Sequence, residues 1–597
     1  MILFLIEIGK YLNIILLAFY TLLSFFAMKR RDDDGRNGLF YLLEAHVYIL
    51  FTSGMACLAL SHYDKGDNEM VSGTIGIWVA QLLLMFVFAR VMYHFYPELN
   101  RLILVQTLFM MSVGFVVQFR ISPSKSWRQL VIITVSLVFS AFIPMIVHRL
   151  KLIKKFWYVT GILGAGALIA VFALGAITNG AKLSIKIFGL VFQPSEFVKI
   201  LFAFFIAGLL YEVYSLKRFI ISSACAAVFV MVLVVSKDLG MALIFYVMFF
   251  SMVYMGTGKF RYVLLGTAGG LVAVTAAYSL FSHVRVRFNT WIDPWTDIDS
   301  TGYQLTQSIF AIGTGGWYGR GIGRGLPGTI PEVGEDFVFS AIVEESGALF
   351  GMLLILLCLN FCFVMLLLAG RLKDRFYRIV IMGLAVCYGT QVFLTIGGGL
   401  RLIPLTGVTL PLISNGGSSA LATLCLIAVV QGAGLVRMDE IYGADEPEEE
   451  IPDNEEDVEI YDIDEDIEDT DIEDADDSSD EYYDQEDYDD GYDDEEASDA
   501  GEDYDDESYD EYEEESCLDN DDYEDEEPDA YEKSETEEED YDGYEDEDGA
   551  YDSEYEGEDA VSINDDTGFE ADGYEDEPED DDLMSEDPEG ERNVKRK

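Results

Sequence analysis

Residues 331–347 read PEVGEDFVFSAIVEESG, and the chain then stays apolar to about residue 369. A run of that length exceeds the roughly 20 apolar residues needed to cross a bilayer. The stretch is therefore the point where a hydrophilic segment enters a membrane helix, with Asp336 at the entry as a natural cap. Asp336, Ser340 and Glu344 are spaced four apart, which stacks them on one helix face. A serine and a carboxylate two turns into a bilayer do not face lipid cheaply. That face is expected to line a polar cavity opening outward, and a partly desolvated carboxylate at such a mouth suits a general base.

The same apolar pattern recurs along the first 438 residues. Thirteen runs are long enough to be membrane helices: 3–28, 38–61, 73–96, 101–119, 128–148, 157–177, 196–213, 218–235, 239–256, 260–280, 337–369, 377–397 and 416–437. The fold class is an all-α polytopic membrane protein. The first run is too long for a signal peptide and lacks a small-residue cleavage site, so it reads as a retained helix. Charge supports the division. The 597 residues carry a net charge of −67, although half are hydrophobic and the mean hydropathy is +0.19. Residues 439–597 hold 84 acids and five bases, whereas the preceding 438 hold 21 acids and 33 bases. A soluble enzyme with one core is excluded by this segregation.

The tail cannot bury enough apolar surface to offset chain entropy and is expected to be disordered. Its sixteen tyrosines suit a solvated polyanion or a docking segment for a cytoplasmic partner of unknown identity. A polyanion gives no reason to expect nucleic acid. Six of the seven cysteines lie inside apolar runs, and the five histidines are scattered, so no disulfide framework or zinc site is expected.

Lys and Arg fall in alternate loops: Lys29, Arg30, Arg31 and Arg36; Arg101; Arg149, Lys151, Lys154 and Lys155; Lys217 and Arg218; Lys259 and Arg261; Arg371, Lys373, Arg375 and Arg378. The intervening loops are poorer in bases, except 120–128 with Arg120, Lys125 and Arg128, and the bias puts the richer set in the cytoplasm, the N-terminus outside, the acidic tail inside and the 281–336 loop outside. That loop holds a surface or re-entrant helix at Tyr303–Ile312 and a glycine-dense stretch from Gly313 to Gly328. No GxxxxGK[ST] and no βαβ unit accompany it, so it is not a nucleotide loop. Arg320 and Arg324 are candidates for lipid phosphate.

Three further clusters place polar groups or broken backbone at membrane depth. Gln193-Pro194-Ser195-Glu196 is followed by Lys199 on the same helix face as Glu196, either a well-capped helix start or a buried functional pair. Asp238 in Lys237-Asp238-Leu239-Gly240 reads as an N-cap. Pro404, Gly407, Pro411, Gly416 and Gly417 interrupt helix before Ser418 and Ser419, as in a re-entrant segment lining a cavity.

These clusters, in this order, resemble the SEDS family (shape, elongation, division and sporulation), which includes FtsW and RodA. The matching stretches are QPSEFVK, KDLG, RFNTWIDPW with GYQLTQSIFAIGTGG, IPEVGEDFVFSAIVEESG and LIPLTGVTLPLISNGGSS, within residues 100–437. Gln193, Pro194, Asp238, Gly240, Gln304, Pro404, Gly407, Pro411, Gly416 and Gly417 are its motif positions here. Departures are Gly334-Glu335 for His-Thr, Asn415 for Tyr, Thr395 for Asn and Ser184 for Trp. The resemblance implies a ten-helix core at 100–437 with a large extracellular loop at 281–336. About three extra helices precede it at 1–99, and the disordered acidic tail follows at 438–597. It implies a bacterial plasma-membrane peptidoglycan glycosyltransferase that polymerises lipid II for elongation, division or sporulation, usually beside a class B penicillin-binding protein. A lipid II flippase or a non-catalytic scaffold of a cell-wall complex is the alternative. Asp336 maps to the catalytic aspartate, acting as base or holding a divalent cation, magnesium or manganese. Glu196, Lys199, Arg287, Arg320, Glu344, Ser418 and Ser419 are candidates for the phosphates or the cavity.

Overall fold

A computed structural model describes residues 2–29, 36–149, 152–178, 181–187, 190–212 and 216–442. The acidic tail expected from residue 438 lies outside the described residues beyond 442, as do Arg30 and Arg31. All described residues belong to a unit ending at Asp462.

The chain begins with α1 (Ile2–Lys29), α2 (Arg36–Asp64), α3 (Asn68–Phe95), α4 (Arg101–Ile121), α5 (Pro123–Arg149), a single turn α6 (Leu152–Lys155) and α7 (Trp157–Leu174). Three short antiparallel strands follow: β1 (Ala176–Thr178), β2 (Ala181–Ile187) and β3 (Leu190–Phe192), with β2 in the middle. Next come α8 (Ser195–Leu210), α9 (Leu216–Val235), α10 (Leu239–Thr257), α11 (Arg261–Leu280), α12 (Ser282–Ile292) and α13 (Tyr303–Gly315). The last helices are α14 (Val338–Arg371), α15 (Arg375–Gly399) and α16 (Gly417–Tyr442). Each of the thirteen expected runs is helical over most of its length, although 157–177 runs into β1. Eleven are long and apolar enough to cross a membrane, while α7 and α8 are shorter. The protein is thus an all-α multi-pass membrane protein, with a small sheet that apolar run length did not predict. The 281–336 loop holds one more helix than expected, because α12 precedes the anticipated helix, which extends to Gly315.

The helix starts are written in the sequence. Asp67, Asn100, Asp238 and Asp374 each accept a backbone N–H from the first turn of α3, α4, α10 and α15, satisfying donors that a helix leaves unpaired. Helices α4, α15 and α16 are mostly buried, whereas α11 shows apolar residues on nearly every side. That gradient is the one expected of a bundle whose outer surface meets lipid. Within the first three helices a buried carboxylate, Glu44 on α2, accepts from Tyr48 (2.9 Å) and pairs with Arg90 on α3.

The long run from residue 338 is not one continuous helix. Gly347 has φ 89° and ψ 164°, so α14 breaks there. The glycine-dense loop threads the break. Arg320 and Gly321 donate to the Glu344 and Glu345 carbonyls at 3.0 and 2.8 Å, while Ala348 and Leu349 donate to the Gly316 and Trp317 carbonyls at 2.9 and 3.2 Å. Backbone groups freed by the break are therefore paired, as they must be inside a membrane protein. Close approach requires glycine: a Cβ on Gly319 would lie 2.3 Å from the Glu345 carbonyl oxygen, and one on Gly347 2.5 Å from the Gly319 nitrogen. Gly347→Ala should therefore lower the melting temperature, through strain of at least about 1–3 kcal/mol and a backbone clash. Gly313→Ala, with nothing within 4 Å of its Cβ, should leave it unchanged or raise it slightly. Thermal unfolding of the two variants in detergent checks the pair.

Candidate active site

Asp336 lies in the turn that delivers the chain to α14. The helix itself begins at Val338, which corrects the expectation that Asp336, Ser340 and Glu344 form one stacked polar face. Ser340 meets Ser308 (2.6 Å), and Ser308 in turn donates to the Gly399 carbonyl (2.9 Å), so Ser340 joins α13, α14 and α15. Glu344 accepts from the Leu326 N–H (2.8 Å) and lies 3.5 Å from Arg320. Glu345 accepts from Arg120 (2.7 Å) and from the Gly323 and Gly325 N–H groups. The two glutamates fasten the glycine loop. Glu344 is not the second wall of a cavity at Asp336, and Arg320 is committed to Glu344.

What faces Asp336 comes from other elements. Gly407, at φ 71°, leaves a gap in which a Cβ would sit 3.8 Å from Asp336 Oδ2 and 3.9 Å from Arg287 Nη2. Arg287 projects from α12 and donates to the Leu405 carbonyl (3.0 Å). Reciprocal bonds set α12 in place: Trp291 donates to the Arg401 carbonyl (3.1 Å), and the Arg401 guanidinium donates back to the Trp291 carbonyl (2.9 Å). Asp336 is half-buried, and none of the described residues hydrogen-bonds its carboxylate. Burial pushes its pKa from the ordinary 3.8 up to about 6; Arg287 pulls it down and Glu332 raises it. His283 on α12 is held below its usual value by burial and then by the charges of Lys237 and Arg287. Lys237 and Arg287 thus both act on His283, whose own charge they and burial disfavour, and these two cations suit an anionic leaving group. Lys237 and His283 were missed as site residues. The one available signal was Lys237 standing immediately before the Asp238 cap.

A second cluster lies beneath this mouth. Gln193 and Ser195 donate to Asp238 Oδ2 at 3.4 and 3.3 Å, while Asp238 caps α10. Gly240 lets the re-entrant segment close in, since a Cβ there would meet Val408 at 2.5 Å and the Thr406 carbonyl oxygen at 3.0 Å. Pro194 precedes the first turn of α8. On α8, Lys199 is completely buried and donates to Glu196 (2.6 Å) and to Gln391 of α15 (2.9 Å). Gln391 passes the network on to the Thr409 carbonyl, and Thr395 donates to the Val408 carbonyl. Buried Ser419 meets Thr409 at 2.8 Å, and Ser418 is half-buried beside it at the start of α16.

The re-entrant segment also grips the Asp336 turn. Asn415 donates to the Gly334 carbonyl, and Ser414 to the Glu335 carbonyl, both at 2.6 Å. Pro404, Pro411, Gly416 and Gly417 shape this segment, while Gln304 on α13 makes no hydrogen bond among the described residues. All four non-glycine residues with positive φ among the described residues, Lys237, Glu332, Arg401 and Leu412, lie in these loops. Backbone strain of this kind persists only where surrounding contacts enforce it, often at functional sites. No group of three His, Cys, Asp or Glu side chains converges on a metal site among the described residues. With Arg287 across the gap from Asp336 and no second carboxylate converging on it among the described residues, the donor set does not fit a divalent cation held by protein ligands.

Comparison with known proteins shows what the chain is similar to. A sequence profile described as cell cycle protein, of the FtsW, RodA and SpoVE type, matches residues 126–435. The chain is 37% identical over 303 residues to the peptidoglycan glycosyltransferase RodA of Mycobacterium tuberculosis, covering 47% of this chain and 63% of that protein. It is 30% identical over 318 residues to a probable peptidoglycan glycosyltransferase FtsW of Nitrosococcus halophilus, covering 51% of this chain and 81% of that one. Among solved structures, it is similar to a chain from work titled structural coordination of polymerization and crosslinking by a peptidoglycan synthase complex. The TM-score is 0.50 and the identity 25%, covering 57% of this chain and 98% of that chain. The chain thus spans less than two thirds of the mycobacterial relative.

The buried pair gives a test of this architecture. Lys199→Met strands Glu196 without its cation and should cost about 3–5 kcal/mol. Lys217→Met, at an exposed position, should change stability by less than about 0.5 kcal/mol. Denaturant unfolding in detergent measures both, and equally small effects would reduce Glu196 and Lys199 to an ordinary helix start.

Proposed function

As the chain belongs to the FtsW, RodA and SpoVE family of cell cycle proteins, we propose that it is a peptidoglycan glycosyltransferase polymerising lipid II into glycan strands. The observation that carries the reading is the half-buried Asp336 carboxylate facing Arg287 across Gly407, with Lys237 and His283 nearby. In the reaction, the acceptor 4-hydroxyl oxygen attacks the anomeric carbon of the lipid-linked donor. Asp336 takes the hydroxyl proton as general base, and the bond from the anomeric carbon to the pyrophosphate oxygen breaks. Arg287 and Lys237 stabilise the departing pyrophosphate through charge-assisted hydrogen bonds. The donor is already activated, so no nucleotide is required. Glu196 and Lys199 support the floor of the site through Gln391 and the re-entrant segment, and Gln304, Ser418 and Ser419 stay candidates for sugar contacts.

The base-rich loops support a topology with the Asp336 end at the outer face of a bacterial plasma membrane, the N-terminus outside and the acidic tail in the cytoplasm. Residues 100–437 are the catalytic core and 1–99 an accessory helical module. That module touches the core at the glycine loop, where Ser61 and Lys65 donate to the Gly323 carbonyl at 3.2 and 2.9 Å. A class B penicillin-binding protein would crosslink the strands, and the tail would recruit a basic cytoplasmic partner.

The deciding experiment supplies lipid II to the purified full chain. Asp336→Asn should lower polymerisation roughly a hundredfold to ten-thousandfold while leaving the melting temperature unlowered, and raised at neutral pH, since the amide removes a half-buried charge. Retained polymer synthesis would sink the assignment, and movement of lipid II across vesicles without polymer would point to a flippase. Deleting residues 443–597 should leave polymerisation in detergent intact. Protease added to intact spheroplasts should spare the tail, and cleavage there would reverse the topology.

A further inference from the structure

The helix pair α2–α3 is joined by a tight reversal. Gly66, at φ 77°, ends α2, with its N–H on the Tyr63 carbonyl and the Asp67 N–H on the His62 carbonyl. Asp67 then caps α3 by accepting the Met70 N–H (3.0 Å). Ser61 on the last turn of α2 and Lys65 just past it stand four apart, and the Lys65 N–H still bonds the Ser61 carbonyl (3.3 Å), so the two side chains share a face. Both donate to one acceptor, the Gly323 carbonyl of the glycine loop, at 3.2 and 2.9 Å. Ser61 and Gly323 are buried. The approach is close: Gly323 has φ 86°, and a Cβ on it would lie 2.3 Å from Ser61 Oγ.

The same stretch of loop is held from its other side. The Gly323 N–H donates to Glu345 Oε2 (3.0 Å) and the Gly325 N–H to Oε1 (3.1 Å). Glu345 belongs to the short helical segment between the Asp336 turn and the break at Gly347. The loop is thus gripped between the end of α2 and the segment that follows Asp336. On α1, Tyr11 adds a ring contact to Tyr318, with centroids 5.5 Å apart. Glycine loses more conformational freedom on ordering than any other residue, so a glycine-dense loop depends on partners outside itself to stay seated. Residues 1–99 lie outside the 126–435 stretch that the family profile matches, so the grip of α1 and α2 is an addition to that core.

We propose that Ser61 and Lys65 are positioning residues for the active site: the α2–α3 turn clamps Gly323, keeps the loop seated on Glu345, and so holds the segment whose entry turn carries Asp336. The accessory module is then a built-in clamp on the site. The proposal rests on the glycosyltransferase reading for its effect on rate, and on the hydrogen bonds alone for the clamp.

Hydrogen–deuterium exchange and initial lipid II polymerisation rates, both on the full chain in detergent, test the two parts. Ser61→Ala/Lys65→Met removes both donors and should speed exchange of the amides of residues 321–326 about tenfold, the loss expected for a hydrogen bond from a charged group. The amides of α15 should exchange as before, showing that the chain is still folded. The polymerisation rate should fall about tenfold to a hundredfold, as it does when a reacting group is misplaced by roughly 1 Å. Ser61→Ala/Lys65→Arg keeps a cationic donor and should recover most of the protection and most of the rate. Lys217→Met, at an exposed position, should change neither. Unchanged exchange at 321–326, faster exchange with an unaltered rate, or no recovery with arginine would overturn the proposal. A wild-type chain that makes no polymer would overturn the glycosyltransferase reading, and the exchange contrast would still decide the clamp.

Discussion

The break in α14 at Gly347 is the constraint from which the outer half of the molecule follows. A helix interrupted inside a membrane protein leaves carbonyl and N–H groups that neither lipid nor helix can satisfy. Here a loop of the same chain supplies the missing partners, with two donors to the carbonyls at 344 and 345 and two carbonyls for the N–H groups at 348 and 349. The loop must pass within backbone contact of the helix, which is why its sequence is dense in glycine. Once seated, it is held again by Glu344, Glu345 and Arg120. The short helical segment ahead of the break is thereby fixed, and with it the turn that carries Asp336.

The second constraint is electrostatic. Asp336 is half-buried without a hydrogen-bond donor among the described residues, and the nearest cation stands across the gap that Gly407 keeps open. Its pKa is raised above that of an exposed aspartate, so ionising it costs folded stability as pH rises from about 4 through about 6. That cost is met by contacts elsewhere, notably the Asn415 and Ser414 bonds to the Asp336 turn and the reciprocal Trp291–Arg401 clasp. The result is a base kept weakly stabilised in its charged form, beside cations placed for a leaving anion.

Much of this was legible in the sequence because membrane burial writes itself as run length. The thirteen helical runs and the Asp238 cap follow from apolar length and capping chemistry, whereas Glu196 and Lys199 were left between a helix cap and a buried pair until their contact was seen. The break at Gly347 was not legible, because a glycine after Glu344-Glu345-Ser346 is compatible with a continuous helix until the loop that replaces its hydrogen bonds is seen. For the same reason the four-residue spacing of Asp336, Ser340 and Glu344 suggested one face, whereas three different neighbours claim them. Lys237 and His283 were hidden by distance along the chain. Only the fold brings the charges of Lys237 and Arg287 to bear on His283, and no local pattern encodes that. The β1–β3 sheet was missed although Ala181–Ile187 alternates apolar and polar residues, a strand signal that a search for long apolar runs passes over.

The most direct test of Asp336 as the reacting base is the pH dependence of initial lipid II polymerisation rates, in the full chain and in Arg287→Leu. A carboxylate raised by burial to about 6 predicts that the rate falls as pH drops through about 6. Removing Arg287 takes away the charge that lowers this pKa, so the acid limb should move to higher pH. An acid limb near 4, or one at the same pH in both proteins, would contradict the account.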